Sequence, residues 1–180
     1  MQLGFYFDQS RCIGCYACVA ACRSWNEQGP EGPDLIRLVS WEEGDFPEVS
    51  LTHLVLTCYH CARPACIDAC PEGIIEKRAT DGAVIITDAD KCTSCLVCQD
   101  VCPYDAPQFD GNGSPAMLCS LCTDRLALGK KPSCVASCPV EALDVGPLEE
   151  LAEHIKGVKE VAGFSDPVVT EPSIIFKAKE

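Results

Sequence analysis

Sixteen cysteines in a chain of 180 residues leave few ways to fold it. They fall into four groups with none left over: Cys12, Cys15, Cys18, Cys22; Cys58, Cys61, Cys66, Cys70; Cys92, Cys95, Cys98, Cys102; and Cys119, Cys122, Cys134, Cys138. A small cysteine-dense chain can be held together by disulfides. The spacing opposes that here. A bridge needs Cα atoms about 4.4–6.8 Å apart with matching directions, and three cysteines at two-residue gaps in one loop would strain or scramble such pairing.

Zinc is the second reading, and the fourth group taken alone could pass for a pair of zinc knuckles. The other groups could not. C-x2-C-x2-C-x3-C sets three thiolates on one tight loop, where they hold three corners of a cube while the fourth points toward a neighbouring site. In three groups that fourth cysteine precedes proline: Cys70-Pro71, Cys102-Pro103 and Cys138-Pro139. Residues 92–103 match the bacterial ferredoxin motif in full, so the chemistry indicated is iron-sulfur, as 4Fe-4S clusters.

The formal charge of −13 grows more negative once thiolate-bound clusters are counted. That opposes nucleic-acid binding, which needs Lys and Arg arrayed against phosphates. No run approaches the roughly 18 apolar residues of a membrane span, and Met1–Asp8 has neither the charged and apolar regions of a secretory signal nor a twin arginine. The expectation is a chain without direct membrane insertion, working in a reducing cytoplasm or exported only as the folded passenger of a partner. There is no glycine-rich phosphate loop and no open metal site, so it is not expected to be an enzyme by itself.

Between Cys70 and Cys92 the chain reads as strand, turn, strand: 73–77, then Asp81-Gly82, then 83–87. This resembles the layout of a two-cluster ferredoxin, in which the fourth cysteine of each motif ligates the other motif's cluster. The resemblance implies one cluster on Cys58, Cys61, Cys66 and Cys102 and another on Cys92, Cys95, Cys98 and Cys70. The first and fourth groups resemble the same unit cut open. Pro139–Gly146 is similar to the segment after a first motif, and Gly4–Asp8 to the strand before a second. The implied sets are Cys12, Cys15, Cys18 with Cys138, and Cys119, Cys122, Cys134 with Cys22, although Cys22 is followed by Arg23 instead of proline. Pairing the first group with the second, and the third with the fourth, is the alternative. The fold class is then α+β and loop-rich, with two bacterial-ferredoxin-like units. Residues 58–102 form one, residues 1–57 plus 103–180 form the other around it, and together they hold four 4Fe-4S clusters.

Elsewhere the pattern indicates a helix over Tyr16–Trp25, a loop over 27–48, a strand over Val49–Leu56 and a terminal strand over Ser173–Lys177. A helix over 147–155 would place Leu148, Leu151, Ala152 and Ile155 on one face. The 27–48 loop and the tail beyond Gly157 show little internal packing and are expected to lie against a partner. His60 either donates to a cluster sulfur or is a packed or exposed loop histidine, while His53 and His154 read as strand and helix surface. Arg63, beside Cys61, could steady a cluster's charge. Lys130 and Lys131 are solvated or meet an acidic partner.

"SRCIGCYACVAAC", "LTCYHCARPACIDACP", "KCTSCLVCQDVCPYDAPQF" and "DRLALGKKPSCVASCPVEALDVGPLEEL" together resemble the iron-sulfur, electron-transfer subunit of dimethyl sulfoxide reductase-family molybdenum or tungsten oxidoreductases. The resemblance implies a larger molybdopterin or tungstopterin catalytic subunit and a further subunit that donates or accepts electrons. It also implies that the cluster on Cys12, Cys15, Cys18 and Cys138 lies nearest the catalytic subunit. A free-standing polyferredoxin and a partner of a tungsten aldehyde oxidoreductase-type subunit are the alternatives.

Overall fold

The structure, a computed structural model, describes residues 1–154 and 157–179. Its elements are short and mix helix with strand. β1 (Leu3–Asp8) is the middle strand of a three-stranded sheet, antiparallel to β6 (Leu143–Pro147) and parallel to β7 (Ile174–Lys177). Phe5 and Phe7 turn to the same side of β1 and are fully buried, as strand periodicity requires. Phe5 lies opposite Val145 on one flank and Ile174 on the other. The sheet thus draws together segments from near both ends of the sequence.

β2 (Ile36–Glu43) and β3 (Ser50–Thr57) form a hairpin in continuous register from Ile36↔Thr57 to Glu43↔Ser50. The sequence reading of 27–48 as loop is therefore corrected. β2 shows no clean alternation because Val39, Ser40, Glu42 and Glu43 are exposed in succession apart from Trp41; its strand conformation comes from pairing with β3, a non-local cause. The segment before it is also held. Arg23 donates to the Gly29, Pro30 and Gly32 carbonyls and pairs with Asp34 at 2.6 Å, and Thr57 Oγ1 donates to the Leu35 carbonyl at 2.8 Å.

β4 (Ile75–Lys77) and β5 (Val84–Ile86) make the expected small hairpin, with Gly82 at φ +72°. The helices are α1 (Ala17–Trp25), α2 (Ala65–Ala69), α3 (Val97–Asp100), α4 (Thr123–Ala127), α5 (Ser133–Ala136) and α6 (Leu148–His154). α1 packs on α5, and α2 on α3. α6 starts after Pro147 as expected, but Ala152 is exposed, and Ile155 lies outside the described residues.

The tail beyond Gly157 is packed, which corrects the second expectation of loose chain. Val161, Thr170 and Ser173 are buried. The Phe164 ring joins a group with Tyr59, Tyr104 and Phe176 at centroid distances of 4.8–5.4 Å. Offset and edge contacts of this kind add to the area they bury. The tail showed no periodicity because its burial is made by turns and single side chains.

Candidate metal centres

Each cysteine group begins with a loop of one shape. The residue just before the second cysteine is left-handed in all four: Gly14 at φ +66°, His60 at +47°, Ser94 at +52° and Leu121 at +58°. This bend turns successive backbone N–H groups inward and lets closely spaced thiols face a common centre. At Gly14 a side chain is also excluded by contact, since a Cβ there would stand 2.5 Å from His53 Cε1.

A short helix follows in each group and carries the polypeptide from one centre to the next. Cysteines four apart lie one above the other on a helix face. Cys18 and Cys22 sit on α1, one turn apart, yet face different hollows. One hollow is lined by Cys12, Cys15, Cys18 and Cys138; a second by Cys22, Cys119, Cys122 and Cys134; a third by Cys70, Cys92, Cys95 and Cys98. The remaining four cysteines, Cys58, Cys61, Cys66 and Cys102, also come together. Cys66 is influenced by the thiols of Cys102 and Cys61, and Cys58 by those of Cys61 and Cys66. Every x3 pair thus straddles two neighbouring sites.

The sites stand in line. Cys22 and Cys134 feel the thiol of Cys18, Cys58 feels Cys119, and Cys66 feels Cys98. The order is the Cys12 site, the Cys22 site, the Cys58 site and the Cys92 site. Of the sixteen cysteines only Cys15 and Cys95 are exposed, and they belong to the two end sites.

The donor sets fit cubane clusters better than single ions. Among the described residues no three Cys, His, Asp or Glu side chains converge on one point, whereas four thiolates on zinc would meet about 2.3 Å from it. Burial, joined by neighbouring cysteines, pushes the Cys18, Cys98 and Cys119 thiols up to about 11 and Cys22 and Cys66 to about 12. Thiolates gathered in such hollows need a strongly cationic centre, and a coordinating metal supplies it by deprotonating the thiol outright. Hydrogen bonds to sulfur are also in place. Ala106 N–H donates to Cys102 Sγ at 3.4 Å and Ala142 N–H to Cys138 Sγ at 3.2 Å, each four residues on, past a left-handed Asp105 or Glu141. Proline after these cysteines ends the helix and frees the turn to make this contact.

Two family models for a 4Fe-4S dicluster domain match, over residues 49–148 and residues 11–75. The B component of the anaerobic dimethyl sulfoxide reductase of Escherichia coli strain K12 is 39% identical, over 98% of this chain and 88% of its own length. The corresponding component of the Haemophilus influenzae reductase is 35% identical over 98% and 89%. The B component of the sulfite dehydrogenase of Allochromatium vinosum is 33% identical over 91% and 76%. This protein belongs to the same family of iron-sulfur subunits. It is an electron-transfer subunit that holds 4Fe-4S clusters.

In this iron-sulfur subunit some accessory residues follow the sequence reading and others depart from it. His60 is fully buried, with Nδ1 accepting the Val84 N–H at 2.9 Å. Although Nδ1 lies 3.7 Å from Cys58 Sγ, it is occupied as an acceptor and does not donate to that sulfur. Burial, with Lys77 nearby, lowers His60 to about 4, so the imidazole is neutral and its proton sits on Nε2. His53 is buried, not on the surface; it bonds Ser40 Oγ at 2.7 Å and packs against Gly14. Its strand position is read correctly, but its face depends on what the Cys12 loop covers. The side chain of His154 is not among those described. Arg63 pairs with Glu171 at 3.1 Å, so its charge is directed to the tail. Lys131 pairs with Asp144 at 3.2 Å and Lys130 is exposed. Asn26 was missed: its Nδ2 lies 3.4 Å from Cys22 Sγ, and its only sequence signal is that it stands four residues after a cysteine lacking proline.

Among the described residues no helix is long and apolar enough to cross a membrane.

Proposed function

We propose that this subunit relays single electrons through four 4Fe-4S clusters, between a larger molybdenum- or tungsten-pterin catalytic subunit and a further carrier, and performs no substrate chemistry itself. The ligand sets are Cys12, Cys15, Cys18, Cys138; Cys22, Cys119, Cys122, Cys134; Cys58, Cys61, Cys66, Cys102; and Cys70, Cys92, Cys95, Cys98. Two ferredoxin-like units result, 58–102 and the chain on either side of it. The pairing of β1 with β6 and of β4 with β5 supports that division.

The observation that carries the reading is the exposure of Cys15 and Cys95 alone, at opposite ends of the line. A wire needs two terminals that reach the surface and an interior that does not. Each terminal is bordered by exposed apolar side chains, Ile13 and Tyr16 at one and Leu96 and Val97 at the other, as a docking face requires. The Cys15 end is assigned to the catalytic partner. When bound, the clusters would supply the electron-accepting sites; this chain's residues fix their spacing, leave none of the cysteines of the two inner ones fully exposed and donate hydrogen bonds to sulfurs.

Anaerobic affinity purification from the native cell tests this. The expected eluate contains a large pterin-bearing subunit with molybdenum or tungsten, and about 16 iron and 16 sulfide per copy of this chain, following the four-cube count. A monomer that elutes alone with all clusters stable overturns the subunit reading.

A further inference from the structure

Both strands of the β4–β5 hairpin are fastened to the loop between Cys58 and Cys61. From β5, Val84 N–H donates to His60 Nδ1 at 2.9 Å. From β4, Lys77 Nζ donates to the His60 carbonyl at 3.3 Å and to the carbonyl of Cys61 itself. Side chains two apart in a strand share a face. Lys77 therefore follows the buried Ile75 on the inner side of β4, while Glu76 between them is exposed. Its ammonium is carried inward, half-buried, to the left-handed bend of the cysteine loop. Arg78 beside it pairs with Asp81 at 2.9 Å, but among the described residues no carboxylate lies within ion-pair distance of Lys77, although the chain has 27 Asp and Glu. A cation taken partly out of water without a counter-charge is costly.

The fold itself does not call for a lysine there. Val145 holds the same place in the β1–β6 pair: like Lys77 it comes seven residues after a cysteine followed by proline, and it lies opposite Phe5 as Lys77 lies opposite Val84. Val145 packs against the apolar core. We propose that Lys77 is the counter-ion of the cluster on Cys58, Cys61, Cys66 and Cys102, and that its charge raises the reduction potential of that cluster. The inference rests on the ligand set proposed above.

The Cys61 carbonyl and the Cys61 thiol belong to one residue, so an ammonium held on the first stands only a few bond lengths from the second. A cube bound by four thiolates is an anion, and reduction adds one more negative charge. A fixed cation beside it therefore favours the reduced state, and net charge is among the factors that set cluster potentials. The neighbouring site on Cys22, Cys119, Cys122 and Cys134 belongs to the half of the chain where valine holds the equivalent place. Lys77 thus makes the two inner sites unequal, and the Cys58 site is the one that holds an electron in transit more firmly.

The test is a redox titration of the anaerobically purified full chain, with any co-purifying subunit, followed by electron paramagnetic resonance. Cys66→Ser identifies the signal of the site. Lys77→Met keeps the reach of the side chain and removes its charge. It is expected to lower that midpoint more than any other, so that the reduced-to-oxidised ratio at fixed potential falls about tenfold, ~59 mV for a one-electron couple. Lys77→Gln, which keeps N–H donors without the charge, lowers it likewise, and Lys77→Arg stays near the parent value. Unchanged midpoints in Lys77→Met, or an equal shift of all clusters, with iron and sulfide intact, overturns the inference. So does a Lys77→Gln midpoint at the parent value, which would make hydrogen bonding the cause, or a Lys77→Arg midpoint as low as that of Lys77→Met, which would make packing the cause. If Lys77→Met loses iron, Lys77→Gln decides in the same way. Failure of the underlying electron-transfer reading looks different: the parent protein itself would lack the clusters.

Discussion

Asn26 Nδ2 donates to Cys22 Sγ at 3.4 Å and to the Cys22 carbonyl at 2.8 Å. At Cys102 and Cys138 the same place, four residues on, is filled by a backbone N–H after a proline-induced turn. Arg23 stands where that proline would be, so α1 runs on to Trp25 and the backbone N–H of Asn26 is used within the helix end. A side chain takes over the donor's task. Asn26→Leu is expected to lower the midpoint of the cluster assigned to Cys22, Cys119, Cys122 and Cys134 while leaving iron content near the parent value. Redox titration monitored by electron paramagnetic resonance reads this directly; an unshifted midpoint contradicts it.

Cys138→Ser is expected to damage the cluster of Cys12, Cys15 and Cys18 and to spare those on Cys58 and Cys92. Cys138 lines the Cys12 hollow although Cys134, one helical turn earlier, lines its neighbour. The variant's spectrum should lose or alter one signal of four. Loss at the Cys92 site would instead support the alternative pairing of neighbouring groups.

Gly14→Ala should destabilise more than its backbone angle suggests. His60, Ser94 and Leu121 hold the same left-handed place with side chains, so the conformation alone is tolerated. At Gly14 the added Cβ would also meet the His53 ring at 2.5 Å. Left-handed strain of this kind costs about 1–3 kcal/mol, and the contact adds to it. Anaerobic denaturant unfolding of Gly14→Ala and of Gly129→Ala, a left-handed glycine at φ +69° whose added Cβ would meet nothing within 4 Å, measures the difference, with Gly129→Ala expected to cost less.

At the β2–β3 turn residues 42–49 are exposed in succession, and Phe46 at its tip is 92% exposed. Glu42, Glu43, Asp45 and Glu48 surround it without a nearby basic residue in sequence. Phe46→Asp is expected to weaken recovery of the catalytic partner at least several-fold while iron and sulfide stay unchanged, as loss of an aromatic anchor does at an interface. Equal recovery would place the interface elsewhere.

Iron removal should unfold the protein. Three hollows lined by thiols stand where an ordinary small protein has packed apolar side chains, and metal binding supplies much of the folding free energy in such proteins. Chelation under mild oxidation is expected to abolish the near-ultraviolet circular dichroism and expose Tyr59 and Tyr104, with recovery only when iron and sulfide are both returned. Retained tertiary signals after iron loss would contradict this.

Local chemistry in the sequence was enough for the cysteine loops, the helix over residues 17–25, the hairpin between Cys70 and Cys92, and the strands at 3–8 and 174–177. Spacing of two residues between thiols, glycine at a left-handed turn and apolar alternation all act over a few neighbours, so they can be read without a partner segment. β2, His53 and the tail were not legible for the opposite reason. Ile36–Glu43 becomes a strand because β3 lies beside it, His53 is buried because the Cys12 loop covers it, and the tail is held because the polypeptide returns to Tyr59–Arg63 more than a hundred residues later. The linear order of the four sites likewise comes from helix against helix, α1 on α5 and α2 on α3, and from Cys119 approaching Cys58. The sequence by itself determined that this protein holds 4Fe-4S clusters. The tertiary structure alone decided which thiols border one another across the sites and which two reach solvent, because proximity between distant segments is set by packing and leaves no period or spacing in the sequence.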